Sequence, residues 1–224
     1  MAKKPTTTKK VTKTSVVDTE TKTEVKVAVT ETKDVEIINL KYGDWGGYNS
    51  PHSNERKVEL PIVFWFIEKY KDNLIELGEV SCFYRDANHP IYDLRSEKPS
   101  TTVMDIYDVD YEGKNVVSVS TIEHVGNGDY GYPEDPEKVL NLLQKIIKQS
   151  KNYLLTFPVG FNRKLEQTIT DQNMKYILLI RDEKNNWTQV HDKKFDEYEY
   201  NKPYGAGNAV AILTNLNIGF TLGD

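Results

Sequence analysis

The chain has 224 residues, a mass of 25.8 kDa, 28% charged residues and a formal net charge of −5. That length supports one sizeable core, and a single cysteine, Cys82, excludes an intramolecular disulfide framework and a cysteine-cluster zinc site. No apolar run approaches the roughly 20 residues of a membrane-spanning helix, and the Lys/Thr-rich start lacks the apolar core of a secretory signal, so a cytoplasmic protein with no membrane partner is expected.

Residues 1–33 are almost all Lys, Thr, Val and Glu, with no aromatic residue and no glycine. Such a stretch buries too little apolar surface to offset the entropy of ordering, so a disordered tail is expected, with a Thr/Val alternation near Val25 to Val29 as its one strand-like feature. It carries eight lysines against four acids, which leaves residues 34–224 near −9. The tail reads as a solubilising segment or as a basic tether for nucleic acid, an anionic surface or a protein partner, and the acidic body argues against nucleic acid.

The body, residues 34–224, reads as one domain of alternating strands and helices. A helix is expected over 54–72, with Ser53 or Asn54 as its cap and Glu55 in its first turn; Pro61 inside it predicts a kink or two pieces. Strands are expected over 73–79, 89–94, 101–106 and 115–121, the last Val-rich as buried parallel strands are. Residues 135–150 are the clearest helix: Pro136 suits its first position, and Val139, Leu142, Leu143 and Ile146 recur at helical spacing. A strand over 152–158, a short helix over 163–170 and late strands over 174–181 and 209–215 follow, with 187–191 as a hairpin partner. This alternation predicts an α/β fold with an open, mostly parallel sheet.

In such sheets ligands bind beyond the carboxyl ends of the strands, which selects Gly78, Asp93, Asp105 and the pair Glu123-His124. Gly78 permits a sharp turn and a close ligand, or is a turn glycine alone. A carboxylate at Asp93 suits the two hydroxyls of a ribose diol, or belongs to a surface turn. Asp105 could accept from an exocyclic amine with Ile106 packing on a ring, or cap a turn. Glu123 and His124 stand where an apolar strand ends abruptly; they suit proton transfer, or hold the next loop in place. That loop, 127–133, has the glycines and aromatics of a flap over a crevice. The loop 43–48 reads as a lid or a plain surface loop, Arg56 and Glu59 as an i,i+3 pair, and Trp65 and Phe66 as core. No phosphate-loop, zinc-helix or nucleophile-elbow motif occurs, and the four histidines are too scattered for a metal site.

The string Ser118-Val119-Ser120-Thr121-Ile122-Glu123-His124-Val125-Gly126 resembles the motif after the fourth strand in a group of class I S-adenosylmethionine-dependent methyltransferase-like proteins, many of them associated with sugar and polysaccharide genes. Asn54-Glu55-Arg56 with Glu59, Glu76-Leu77-Gly78, His89-Pro90-Ile91-Tyr92-Asp93, Asp105-Ile106 and Thr156-Phe157-Pro158 resemble other segments of that group in the same order. The resemblance implies a Rossmann-like class I methyltransferase fold and S-adenosylmethionine as cofactor, held by Glu76, Gly78, Asp93, Asp105, Ile106 and Ser120. It implies methyl transfer to a small-molecule or sugar-type acceptor, with His124 and Glu123 as catalytic residues and no metal. Glu79, Val80 and Ser81 stand where the group's motif repeats glycine, so an inactive binding or structural module is the alternative. The two readings differ in one respect: a working site requires Asp93, Asp105 and Glu123 to converge on one pocket, whereas an inactive module fills that space with side chains such as Phe83 or Tyr84.

Overall fold

The computed structural model describes residues 34–96 and 98–223. The tail 1–33, with its expected disorder and strand-like alternation, lies outside the described residues. The elements, in chain order, are β1 (Glu36–Lys41), α1 (Arg56–Lys69), β2 (Leu74–Leu77), β3 (Ile91–Asp93), β4 (Thr101–Val103), β5 (Asn115–Val119), α2 (Pro136–Gln149), β6 (Asn152–Pro158), α3 (Arg163–Asp171), β7 (Tyr176–Arg181), β8 (Trp187–Val190), β9 (Ala209–Thr214) and β10 (Ile218–Gly223).

Eight strands form one mixed sheet in the order β4-β3-β2-β5-β6-β9-β7-β8. The first five are mutually parallel, while β9 lies antiparallel to both β6 and β7, and β7 and β8 form the expected hairpin. The mostly parallel α/β sheet expected from the sequence is therefore present. Every residue of β5 and β9 is buried, as strands covered on both faces require. One apolar layer places Val139, Leu142, Leu143 and Ile146 of α2 and Leu165 and Ile169 of α3 against the sheet. The other places Val58, Ile62, Val63 and Phe66 of α1, with Ile38 of β1 and Ile218 and Phe220 of β10, against the opposite face. Neighbouring residues of β5 divide between the layers, Val116 to the first and Val117 to the second, as strand alternation dictates.

The helix starts follow their capping chemistry. Asp135 accepts from the amides of Glu137 and Lys138 and Pro136 occupies the first position of α2, while Asn162 does the same for Lys164 and Leu165 of α3. In α1, by contrast, Glu55 holds the cap position without a side-chain cap, and neither Ser53 nor Asn54 caps it; Asn54 accepts from the Arg56 amide at 3.0 Å from one residue further back. Pro61 does not break α1 into two pieces: the helix runs unbroken from Arg56 to Lys69 with Pro61 buried inside it. Proline removes one main-chain bond there, and the burial of Val58, Leu60, Ile62, Val63 and Phe66 around it outweighs that loss.

Two strands were not expected. β1 and β10 pair in parallel as a separate two-stranded sheet, Glu36 opposite Ile218 and Lys41 opposite Gly223. Three expected strands, β2, β4 and β5, also end at least two residues early, and each is followed by a 3₁₀ turn. β4 stops at Val103 and a turn runs over Ile106–Asp108; β5 stops at Val119, because Ser120 turns the chain with φ of +38°, and a turn runs over Ile122–His124. A third turn, Ser81–Phe83, follows β2. All three lie past the carboxyl ends of parallel strands.

Candidate functional site

The order β4-β3-β2-β5-β6 reverses direction of growth between β2 and β5, which is where a doubly wound sheet opens a crevice. A cavity of about 1030 Å³ lies there. Asp93, Asp105, Ile106, Ser120, Glu123 and His124 all line it, so six of the eight residues expected at the site are brought together.

The other two are elsewhere. Glu76 is fully buried beneath the cavity, where it accepts from the Ser81 amide at 2.8 Å and from the Ser81 hydroxyl, with His89 Nε2 at 2.9 Å. It ties the turn after β2 and the start of β3 to the sheet rather than reaching a ligand. Gly78 has φ of +90°, and its bare side faces Thr121: a Cβ there would lie 1.9 Å from Thr121 Oγ1. The close approach that needs glycine is thus made by a side chain of the loop after β5. Glu79 and Val80 line the cavity in its place.

Within the cavity the polar groups differ in how far they are committed. Asp93 accepts from the amides of Glu79 and Arg95, each at 2.8 Å, one on each oxygen. A carboxylate has about four acceptor positions, so Asp93 retains capacity for a ligand. Asp105 accepts from the Tyr107 amide at 2.9 Å and is ion-paired with Lys138, which also lines the cavity. The Ser120 hydroxyl donates to Glu59 at 2.7 Å.

His124 is oriented by a residue that sequence reading passed over. Its Nδ1 lies 2.7 Å from Asp129 Oδ2, which also accepts from Asn127 at 3.1 Å. With Asp129 as the acceptor, Nδ1 is the donor of this contact, and Nε2 lies 3.9 Å from Glu123 Oε1. The ring is packed edge-on against Phe161 at 4.9 Å and tilted against Tyr130 at 5.2 Å. His124 therefore does hold the next loop, and it also presents a free face. That loop lies against the cavity: Gly126, Gly128, Tyr130 and Tyr132 line it, and Arg95 donates to the Tyr130 carbonyl at 2.6 Å. The loop before α1 reaches it as well, with Tyr48 stacked on Phe83 at 4.0 Å and an interplanar angle of 4°.

The other missed residues come from the start of α1. Glu55 and Arg56 both line the cavity and both are buried. Arg56 is ion-paired with Glu59, which accepts further from Thr156 at 2.7 Å, while Glu55 accepts from the Gly207 amide at 2.8 Å. Burial works against the Arg56 charge, yet Glu59, Glu55 and Glu123 together hold its guanidinium firmly protonated. Glu123 is 1% exposed; burial first, then the repulsion of Glu59 and Glu55, pushes its carboxyl well above the usual range, with a backbone hydrogen bond and Arg56 only partly offsetting this. Glu123 Oε2 and Arg56 Nε are both buried without a hydrogen-bond partner. The i,i+3 spacing of Arg56 and Glu59 was the sequence signal for this cluster, and that expected pair is present.

No family model matches the chain, and no curated protein or solved structure is significantly similar to it. Among the described residues no group of His, Cys, Asp and Glu could hold a metal ion, and no helix is long and apolar enough to cross a membrane.

Proposed function

We propose that the chain is an S-adenosylmethionine-dependent methyltransferase of the class I fold acting on a small-molecule or sugar-type acceptor. One observation carries the reading: Asp93, Asp105 and Glu123, from the ends of three different strands, converge on one open cavity at the switch point of the sheet. The residues present fit such a group. The cavity is large enough for a nucleoside-sized ligand, Asp93 keeps acceptor positions for a ribose diol, and Ile106 supplies an apolar wall.

S-adenosylmethionine supplies a methyl group already activated on a sulfonium centre, so alignment is the main requirement of the reaction. The chain's own residues do the rest. Asp93 and Ile106 orient the nucleoside end. His124 Nε2 takes the proton that the acceptor loses, Asp129 fixes the ring so that this atom faces the cavity, and Phe161 and Tyr130 keep it there. The loop carrying Tyr130 and Tyr132 lines the cavity beside His124.

The second reading, an inactive module, draws on Gly78, whose bare side is filled by Thr121, and on Asp105, which is paired with Lys138. Against it, Phe83 stacks on Tyr48 at the cavity wall and leaves the volume open. Calorimetric titration with S-adenosylmethionine and S-adenosylhomocysteine separates the two. Micromolar binding of either supports the enzyme; no binding by folded protein leaves the inactive module.

A further inference from the structure

We propose that the end of the cavity walled by Glu123, Glu55 and Arg56 receives the basic nitrogen of an amine acceptor, an inference that rests on the methyltransferase reading. Three carboxyl groups, Glu55, Glu59 and Glu123, surround one guanidinium, Arg56, and all four are buried. Glu59 accepts from Arg56, Ser120 and Thr156, and Glu55 accepts from the Gly207 amide. Glu123 remains: its Oε2 has no partner, although the side chain is 2% exposed and the residue forms part of the cavity wall. Three carboxyl groups face a single cationic side chain and Glu123 Oε2 lacks a hydrogen-bond partner, and an ammonium group supplies both a positive charge and a donor. Burial raises the pKa of the Glu123 carboxyl, and a cation beside it acts in the opposite direction, as an opposite charge within a few ångströms does.

The position separates this end from the nucleoside end. Asp93 and Asp105 follow β3 and β4, whereas Glu123 follows β5; Phe161 after β6 and Tyr200 and Ala206 ahead of β9 line the same cavity. Strands lie about 4.8 Å apart, so the ends of β4 and β5 are about 14 Å apart across the sheet. Phe161 and Tyr200, in edge-to-face contact at 5.2 Å, add aromatic faces that favour a cation. A hydroxyl acceptor satisfies one lone pair and adds no positive charge; a carboxylate or phosphate is repelled.

The test uses the full chain saturated with S-adenosylhomocysteine and titrated with benzylamine, benzyl alcohol and benzoate. Benzylamine is expected to bind about tenfold or more tightly than benzyl alcohol, the scale of one charge-assisted hydrogen bond, and benzoate not at all. Glu123→Gln, with unchanged circular dichroism and S-adenosylhomocysteine affinity, is expected to lose the preference, and Glu55→Gln to reduce it. Equal affinities, no binding of any of the three, or a preference that survives Glu123→Gln overturns the inference. So does a loss of S-adenosylhomocysteine binding in Glu123→Gln, which assigns the carboxyl to the cofactor's own ammonium. If S-adenosylhomocysteine does not bind the wild type, the methyltransferase reading fails, and the same titrations on the bare protein judge the acidic end by itself.

Discussion

Gly78→Ala distinguishes a glycine kept for a ligand from one kept for the fold. At φ of +90° an L-residue is strained by about 1–2 kcal/mol, and the new methyl group would lie 1.9 Å from Thr121 Oγ1 and 2.8 Å from Thr121 Cβ. The latter is a branch point close to the main chain, so the loop after β5 must shift, an overpacking cost of about 1–3 kcal/mol. Together the substitution costs about 3 kcal/mol, which for a domain of this size lowers Tm by about 6–12 °C. Urea unfolding of Gly78→Ala, Thr121→Gly and the double variant completes a cycle. The steric part, about 1–3 kcal/mol, should return in the double variant, because Thr121→Gly removes the three atoms nearest to the methyl group; the strain part should not return. Thr121→Gly alone loses the hydrogen bond to the Val119 carbonyl, which the cycle subtracts. The reasoning is refuted if Gly78→Ala melts within about 2 °C of wild type while its affinity for S-adenosylhomocysteine falls tenfold or more. That result would mean that the backbone of Gly78 serves a ligand and that the Thr121 contact is incidental.

Three further outcomes follow from the site. Asp93→Ala should weaken S-adenosylhomocysteine about 10–100-fold by calorimetry, the scale of hydrogen bonds to a charged group, with only a modest fall in Tm from the lost Glu79 and Arg95 amide bonds; unchanged affinity removes Asp93 from the site. Asp129→Asn should lower kcat for the methyl acceptor about 100-fold with little change in KM for the cofactor, since it loosens His124 without touching the nucleoside end; an equal effect on both constants points to collapse of the loop instead. Glu123 has a folded pKa raised by burial above its ordinary 4.5, so the stability it contributes is fully present below pH 4.5 and is lost as pH rises through the folded value. Urea midpoints of Glu123→Gln should therefore gain on wild type as pH rises from about 4.5 toward neutrality, with Glu55, Arg56, Glu59 and His124 facing the group in both proteins. Parallel pH curves exclude a buried, charge-sensitive Glu123.

What the sequence revealed follows the range of the interactions involved. The capped, periodic segment that becomes α2 was legible to within a residue because Asp135, Pro136 and the Val139-to-Ile146 stripe are local signals. β1 was not: Glu36, Asn39 and Lys41 make a strand half polar, and its partner β10 lies at the far end of the described chain. Pro61 misled for the same reason, because its local cost is visible in sequence while the burial that offsets it is tertiary. The site divides in the same way. That Asp93, Asp105 and Glu123-His124 meet was predictable from one rule, that parallel strands present their carboxyl ends on one side. Which of their atoms remain available was not, since it depends on Lys138, 33 residues beyond Asp105, on Asp129 in a loop, and on Arg56 in a helix that precedes the sheet.

Arg56 and Glu59 tie the fold to the site. A buried ion pair is a poor source of stability, because desolvating two charges consumes most of what their attraction returns. Its geometry here suggests what it does instead. Glu59 sits on α1 and accepts from Ser120 after β5 and from Thr156 on β6, so one carboxylate sets the register of the helix against two adjacent strands. An apolar residue at position 59 would pack against the same strands without specifying where along them the helix rests. Register matters because Glu55 and Arg56 stand one turn or less before Glu59, and a slip of α1 by one residue would swing both out of the cavity wall. The pair thus fixes the polar end of the cavity against the strand ends that carry Glu123 and His124, and the uncommitted atoms at that end, Glu123 Oε2 and Arg56 Nε, are held in place by groups that are themselves fully engaged.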